Sequence, residues 1–287
     1  MAPRLTYAAQ PGETMKLAVI SDIHGNLPAL LAVARHIRAT GHDAVVVLGD
    51  IVVGCPDSWE CWELVHSLGW RILRGNHERY VGTFDSPDAP PEWFAPQWAP
   101  VRWAVERAPS HAREQLMRLP TTLAVPGMDG ATFLHASRRN DTDSVHPHTP
   151  DPALSEMFSP SAPRLVVRGH NHVAQTRLWS GGTILTNGSV GLPMDGHTTA
   201  QYTTLTRRPG GGIVWQHHSI TYDLARALAR FTDTGYLRAA GPMARLFHRE
   251  LATATLQVVP FLAWWTRWKQ EGTRLDLAEA MQRFLSL

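Results

Sequence analysis

Short apolar runs alternate with amphipathic stretches over the first part of the chain. Lys16–Ser21 (KLAVIS) and Ala44–Leu48 (AVVVL) read as strands, the second rich in β-branched residues as strands covered on both faces are. Between them a helical run follows Asn26 and Pro28 and stops at Gly41, with Asn before and Pro just inside its start. Asp57 with Glu60 three residues on predicts a capping box for a helix to about Leu68, ended by Gly69. Arg71–Arg74 is a third short strand. Strand, helix, strand, helix, strand implies parallel pairing with right-handed crossovers.

The middle of the chain changes character. Residues 85–100 hold five prolines and two tryptophans and read as an irregular surface excursion, followed by helix to about Arg118. Leu123–Val125 and Ala131–His135 flank a Gly127–Gly130 turn. Leu165–Arg168, Thr183–Thr186, Ala200–Thr206 and Gly212–Gln216 are further strands, and from about Tyr222 the pattern is helical. The expected fold is α/β: two mixed β-sheets packed as a sandwich and flanked by helices. Residues 1–14 form a loose tail, 15–221 the main domain, and 222–287 a helical extension. Met15 is an alternative start.

Composition bounds the function. With 287 residues, 44% hydrophobic and 18% charged, the chain is an ordinary globular protein rather than a disordered one. A formal net charge of +2 argues against a nucleic-acid binder working through a basic stripe. Cys55 and Cys61 are the only cysteines, at a spacing that fits no common zinc or redox motif, and are expected as buried thiols. Residues 1–14 lack a signal-peptide apolar stretch, and Leu251–Trp265 is too short and interrupted to span a membrane. The expectation is a cytoplasmic protein with no membrane partner.

The chemistry lies in an ordered set of polar residues at strand ends: Asp22-Ile23-His24, Gly49-Asp50, Gly75-Asn76-His77-Glu78, His135 and Gly169-His170-Asn171-His172. Side chains at the carboxyl ends of neighbouring strands converge on one crevice. Two Asp, one Asn and four His offer the mixed oxygen and imidazole donors suited to Mn, Fe, Zn or Co. In the Asp-x-His and His-x-His pairs, an extended backbone would put both side chains on one face. Asp50 is the natural carboxylate to bridge two ions. Gly49, Gly75 and Gly169 would permit tight turns there.

The series D-x-H, G-D, G-N-H-E, H, G-H-N-H resembles the calcineurin-like metallophosphoesterase superfamily over about residues 16–207. Gly25-Asn26-Leu27, Asp50-Ile51-Val52, His135-Ala136-Ser137 and the 187–193 segment (NGSVGLP) are similar to its small bacterial and archaeal phosphodiesterase/phosphatase branch. The resemblance implies two divalent metal ions, Mn2+ first and Fe, Zn, Co or Ni as alternatives. Asp22, His24 and His172 would hold one; Asn76, His135 and His170 the other; Asp50 both. His77 would face the substrate as general acid, kept charged by Asp22 or another carboxylate. Two dications lower the pKa of a bridging water, giving the hydroxide that attacks phosphorus, and clamp phosphoryl oxygens. Glu78 and Asn171 depart from the commoner Asp and Thr without touching a ligand position.

Other residues carry plainer readings. Asn26 either contacts substrate phosphate or only caps its helix, and Arg74 either binds substrate or only finishes a strand. His146 and His148 belong to a solvated loop. Trp93, Trp98 and Trp103 suit a packed lid over the site more than a stacking surface for a nucleobase. Trp264, Trp265 and Trp268 suit a helix-packing cluster or a homodimer surface. The expected activity is hydrolysis of a phosphorylated small molecule or phosphoprotein. Dinucleoside polyphosphate hydrolysis is the alternative, and a non-catalytic scaffold on the same fold the competing class. The complete ligand set disfavours the scaffold.

Overall fold

The computed structural model describes residues 14–158, 164–210, 212–272 and 274–286. Of the expected N-terminal tail, only Thr14 falls among them. In the first sheet β1 (Met15–Ile20) pairs in parallel with β2 (Ala44–Val47), and β2 with β3 (Arg71–Ile72), through helices α1 (Leu27–Thr40) and α2 (Ser58–Ser67). β9 (Ala200–Arg207) and β10 (Ile213–Ile220) extend it antiparallel on the other side of β1. The second sheet has the order β4 (Thr122–Leu123), β5 (Ala131–Leu134), β6 (Leu165–Arg168), β8 (Gly182–Thr186), β7 (Gln175–Trp179). It is parallel in its centre and antiparallel at both edges.

The two-residue strand period assigns the core. Leu17 and Val19 of β1, Val46 of β2 and Leu205 of β9 meet Phe133, Val167 and Leu185 of the second sheet. The alternate residues Ala18 and Ile20 turn outward against Leu30, Val33, Trp62 and Val65 of the covering helices. Both faces of β1 are thus buried, which is why its sequence shows no polar alternation. On the far face of the second sheet, Val166 and Ile184 pack against Leu154 and Phe158 of α6 (Asp151–Phe158).

Three local expectations change. β7 is an additional edge strand hidden in the sequence by an inverted pattern: Leu178 is 66% exposed, while Arg177 turns inward to an ion pair with Asp151 at 2.7 Å. β10 runs on to Ile220 because all eight of its residues pair with β9. Asp57 stands at the start of α2 but makes no capping hydrogen bond. Its buried carboxylate instead accepts from Nε of Arg230 at 3.0 and 3.1 Å and from Nη2 at 2.5 Å.

That contact ties the C-terminal helices to the sandwich. They are α7 (Leu224–Asp233), α8 (Tyr236–Ala239), α9 (Gly241–Thr253), α10 (Val258–Gln270) and α11 (Leu277–Leu285). Phe231, Tyr236 and Leu251 pack with Trp103, Cys55 and Leu192. Farther out, Trp265 stacks on Phe261 with centroids 5.9 Å apart, and Leu277 and Met281 of α11 are buried beside them. The tail tryptophans therefore join helix to helix. The Pro-rich excursion forms two 3-10 turns (Pro91–Phe94 and Pro96–Trp98) leading into α4 (Ala99–Glu106); α5 (Ala112–Arg118) follows. There Trp93 is buried against Phe84 and Trp98. Among the described residues no helix is long and apolar enough to cross a membrane.

Candidate metal centre

All the strand-end residues fall in tight loops on one side of the sandwich. Asp22 and His24 follow β1, Asp50 follows β2, His135 follows β5, and His170 and His172 follow β6; Asn76 opens α3 (Asn76–Thr83) just after β3. The backbone there is not extended. Asp22, His24, Asp50, His170 and His172 have φ of 56°, 49°, 52°, 70° and 59°, the left-handed region that non-glycine residues rarely enter. Loop-to-loop bonds hold the first three: Asp22 N–H to Gly49 O at 3.1 Å and His24 N–H to Asp50 O at 2.9 Å. In consequence the His-x-His pair splits while the Asp-x-His pair stays together: His172 joins Asp22 and His24, whereas His170 joins His135 and Asp50. Close approach also explains two glycines. A Cβ on Gly75 would stand 2.2 Å from Asp50 Oδ1, and one on Gly169 would stand 1.9 Å from Ser21 Oγ.

The donor atoms of Asp22, His24 and His172 lie within 4.8 Å of one another, as do those of Asp50, His135 and His170. Asn76 Oδ1 completes the second group, 2.9 Å from His135 Nε2 and 3.1 Å from His170 Nδ1. Asp50 Oδ2 lies between them, 3.7 Å from His24 Nε2 and 3.3 Å from His135 Nε2.

Tautomers follow from the partners, because a carbonyl oxygen only accepts. His24 Nδ1–H donates to Val53 O, His172 Nδ1–H to Leu192 O and His135 Nδ1–H to Leu48 O. His170 uses Nε2–H on Thr142 O at 3.1 Å. In the neutral rings the opposite nitrogens are bare lone pairs. Those of His24 and His172 face each other at 3.0 Å, and those of His135 and His170 face the Asn76 oxygen. Lone pairs and carboxylates so gathered repel unless cations stand among them, and the donor chemistry fits two divalent ions.

The charges agree. Burial, followed by His172 and His77, holds His24 well below its ordinary value, so a proton is not its natural partner. Burial also works against the charge on Asp50, but His135, His77 and His24 around it hold its carboxyl well below the usual range. Burial would depress His135 too, yet the Asp50 charge raises it to about 9. Without metal, His135 carries the proton that offsets Asp50.

His77 stands at the lip of the crevice, 20% exposed, with Nε2 3.9 Å from Asp50 Oδ2 and its ring edge-on to His24 at 4.8 Å. Its Nδ1 is buried with no hydrogen-bond partner. Burial lowers its pKa despite the raising charges of Asp50 and Asp22, so these carboxylates do not by themselves keep it charged. Asn26 is buried below the site, and its carboxamide is consumed: Oδ1 accepts from Ala29 N–H at 3.2 Å, and Nδ2 donates to Gly191 O at 2.9 Å and to Tyr222 Oη at 3.3 Å. Arg74 does not reach the crevice. It donates to Met117 O at 3.3 Å and lines a second cavity of about 850 Å3 with Arg79, Arg138 and Arg139, which adjoins the centre at His135 and shares Thr142 with the crevice. His146 is exposed at the crevice mouth, and Trp98 lines its wall.

Sequence reasoning missed the supports. Glu78 is fully buried, and its carboxyl oxygens accept from the N–H groups of Asp50 and Ile51 at 2.7 Å and Gly75 at 2.9 Å. It thus grips the loop that presents Asp50. Burial and then the Asp50 charge push it up to about 7, against those three N–H bonds. Arg168, also fully buried, donates to Ala136 O at 2.6 Å and Asp143 O at 2.7 Å and to Asn171 Oδ1, joining the His135 and His170 loops. The 187–193 segment runs under Asp22, whose carbonyl accepts from Ser189 Oγ at 2.7 Å and Gly191 N–H at 3.0 Å.

The sequence profile described as calcineurin-like phosphoesterase matches residues 15–174, more than half of the chain, and the chain belongs to that family. A metallophosphoesterase structure from Sphaerobacter thermophilus is similar, at TM-score 0.64 and 25% identity over 85% of this chain and 100% of that one. The structure of hypothetical protein PH1004 from Pyrococcus horikoshii OT3 shares the fold, at TM-score 0.64 and 18% identity over 79% of this chain and 96% of that one. Uncharacterized protein MJ0912 of Methanocaldococcus jannaschii is 45% identical over 62 residues, 22% of this chain and 26% of that protein. The match thus spans about a quarter of that relative's length.

Proposed function

We propose that the chain hydrolyses phosphate esters at a two-cation centre held by Asp22, His24 and His172 on one side and Asn76, His135 and His170 on the other, with Asp50 shared. The observation that carries this reading is the convergence of the inward imidazole nitrogens of His24, His172, His135 and His170 on the carboxylates of Asp22 and Asp50 and the carboxamide oxygen of Asn76. When bound, the ions supply Lewis acidity, acidifying water and offsetting charge on the phosphoryl oxygens. Imidazole with carboxylate and carboxamide suits Mn2+, and also Fe, Zn, Co or Ni.

The chain's own residues do the rest. Glu78 and Arg168 fix the loops, so the donors are in place before a ligand arrives. His77 lies beside the centre with its Nε2 toward Asp50, where it can protonate a departing alkoxide oxygen. Burial keeps its ring neutral in the resting protein, and the negative charge of an entering phosphate ester favours the protonated form.

The test is hydrolysis of 4-nitrophenyl phosphate and bis(4-nitrophenyl) phosphate with and without Mn2+. Activity that needs the metal, disappears with chelator and is lost in Asp50→Asn supports the reading. A folded protein that binds two ions yet hydrolyses neither ester overturns it.

A further inference from the structure

The cavity over the centre has a volume of about 790 Å3, within the roughly 300–1,000 Å3 typical of small-molecule sites. One end is polar, lined by His24, Asp50, Asn76, His77, His170 and His172. The other end is the C-terminal helices: Met243 and Phe247 of α9, Leu256 in the following turn, and Val258, Val259 and Leu262 of α10. Leu256 is 46% and Val259 59% exposed, large aliphatic groups left in solvent where the wall meets the mouth. Trp98 and Tyr80, 5.2 Å apart edge to face, continue this surface round to His77.

Charge narrows the ligand further. Among the described residues no lysine or arginine lines this cavity; beyond the centre its ionisable groups are His146 at the mouth, the phenol of Tyr80 and the carboxyl of Glu250. That carboxyl already accepts from Gln257 and Val258 N–H, both at 2.8 Å, which shapes the turn between α9 and α10. Arg74, Arg79, Arg138 and Arg139 line a second cavity, which adjoins the centre at His135 and Thr142 and includes none of the α9–α10 residues. A nucleoside polyphosphate brings several negative charges beyond the phosphoryl group under attack, and nothing on this wall answers them.

We propose that the site selects phosphate esters of apolar alcohols, with the alkyl or aryl group lying along the α9–α10 wall, and disfavours dinucleoside polyphosphates. The inference rests on the hydrolase reading for its chemistry. Water adds to phosphorus, the ester P–O bond breaks, and the alcohol leaves with a proton on its oxygen, giving alcohol and phosphate. Its specificity content is separate. Alkyl alcohols of different length leave equally well, so only binding along the wall distinguishes their esters.

The experiment compares ethyl, hexyl and decyl phosphate with diadenosine tetraphosphate, all below micelle-forming concentration and with Mn2+. It also follows the matching alkylphosphonates, which cannot be hydrolysed, by calorimetry. The expected result is that kcat/KM and phosphonate affinity rise with chain length, by up to about fourfold for each methylene that becomes buried, and that the tetraphosphate is the poorest substrate. Leu256→Gln combined with Val259→Gln lowers the decyl-to-ethyl ratio at least severalfold. Leu178→Gln, at the exposed edge of β7, leaves that ratio alone. A flat series, or a preference for the tetraphosphate, overturns the proposal while leaving the hydrolase reading intact. Phosphonate affinity that rises with length in a protein that hydrolyses no ester upholds the apolar subsite and overturns the hydrolase reading instead.

Discussion

The Nε2 atoms of His24 and His172 face each other at 3.0 Å, each ring having committed its Nδ1 proton to a backbone carbonyl. Two like lone pairs at that distance are stable only with positive charge nearby, and burial keeps protons off His24. Divalent ions should therefore stabilise the fold as well as serve chemistry. At a free-ion concentration a hundredfold above Kd, a site filled only in the native state adds about 2.7 kcal/mol. Thermal unfolding with Mn2+ and with EDTA measures this directly, and His172→Ala should remove a large share of the difference.

Protons and metal compete at the second group. His135 is raised from 6.5 to about 9 in the metal-free protein, so its contribution to stability is complete below pH 6.5 and is lost as pH rises through 9. Glu78 acts in the same direction. Its folded value of about 7 against 4.5 unfolded means the native state holds the extra proton, and stability falls as pH rises through that window. Because His24, His77 and His170 are held low and gain stability as pH rises to about 6.5, the metal-free protein should lose melting temperature above that point, from about pH 7 to 9. Metal affinity should climb over the upper part of that range, with proton release visible when titrations are repeated in buffers of different ionisation enthalpy.

Glu78 bears on the shape of the loop rather than on charge alone. Glu78→Gln keeps one accepting oxygen but turns an amide NH2 toward backbone donors, and each buried N–H left orphaned costs about 1–3 kcal/mol. The expected variant is less stable and binds the ions more weakly, because Asp50 is no longer gripped. Urea unfolding and metal titration on the same samples check both effects. Full metal affinity in a destabilised variant would show that the clamp serves folding only.

His77 should sort substrates by leaving group. His77→Ala is expected to keep its metal content yet lose roughly 10²–10⁴-fold in kcat on alkyl esters, which need protonation. The loss on 4-nitrophenyl esters, whose leaving group departs as an anion, should be much smaller. Metal analysis and parallel kinetics on the two ester types decide the matter. Equal losses on both would reassign His77 to holding the centre.

The Asp57–Arg230 pair fastens the tail. Arg230→Ala leaves a 2% exposed carboxylate side chain without its cation and should cost roughly 3 kcal/mol, near the low end for a broken buried pair because the guanidinium is partly exposed. Asp57→Asn added to it should recover part of that loss. Denaturant melts of the two single variants and the double variant give the coupling.

The fold and the converging residues were legible because both are written locally. The apolar runs are continuous where strands are covered on both faces, and each polar motif sits at the end of one. What was not legible depends on partners distant in the chain. Asp57 looks like a cap until Arg230 arrives from 173 residues away. Arg74 follows a strand toward the site, yet its side chain leaves for Met117 O. Asn26 has no free group for phosphate once Gly191 and Tyr222 take its amide. The left-handed backbone at Asp22, His24, Asp50, His170 and His172 separates His170 from His172, and no side-chain alternation rule foresees that. Glu78, set beside a ligand motif, gives no sign in sequence of the backbone donors it collects.

The division of the cavity between two stretches of chain has a consequence for how such a protein diversifies. Every donor in the centre lies between Asp22 and His172, whereas the apolar wall comes from α9, α10 and the turn joining them. Substitutions in those late helices can retune what is admitted without disturbing a single ligand. A swap of that module between relatives would graft a new appetite onto an old reaction.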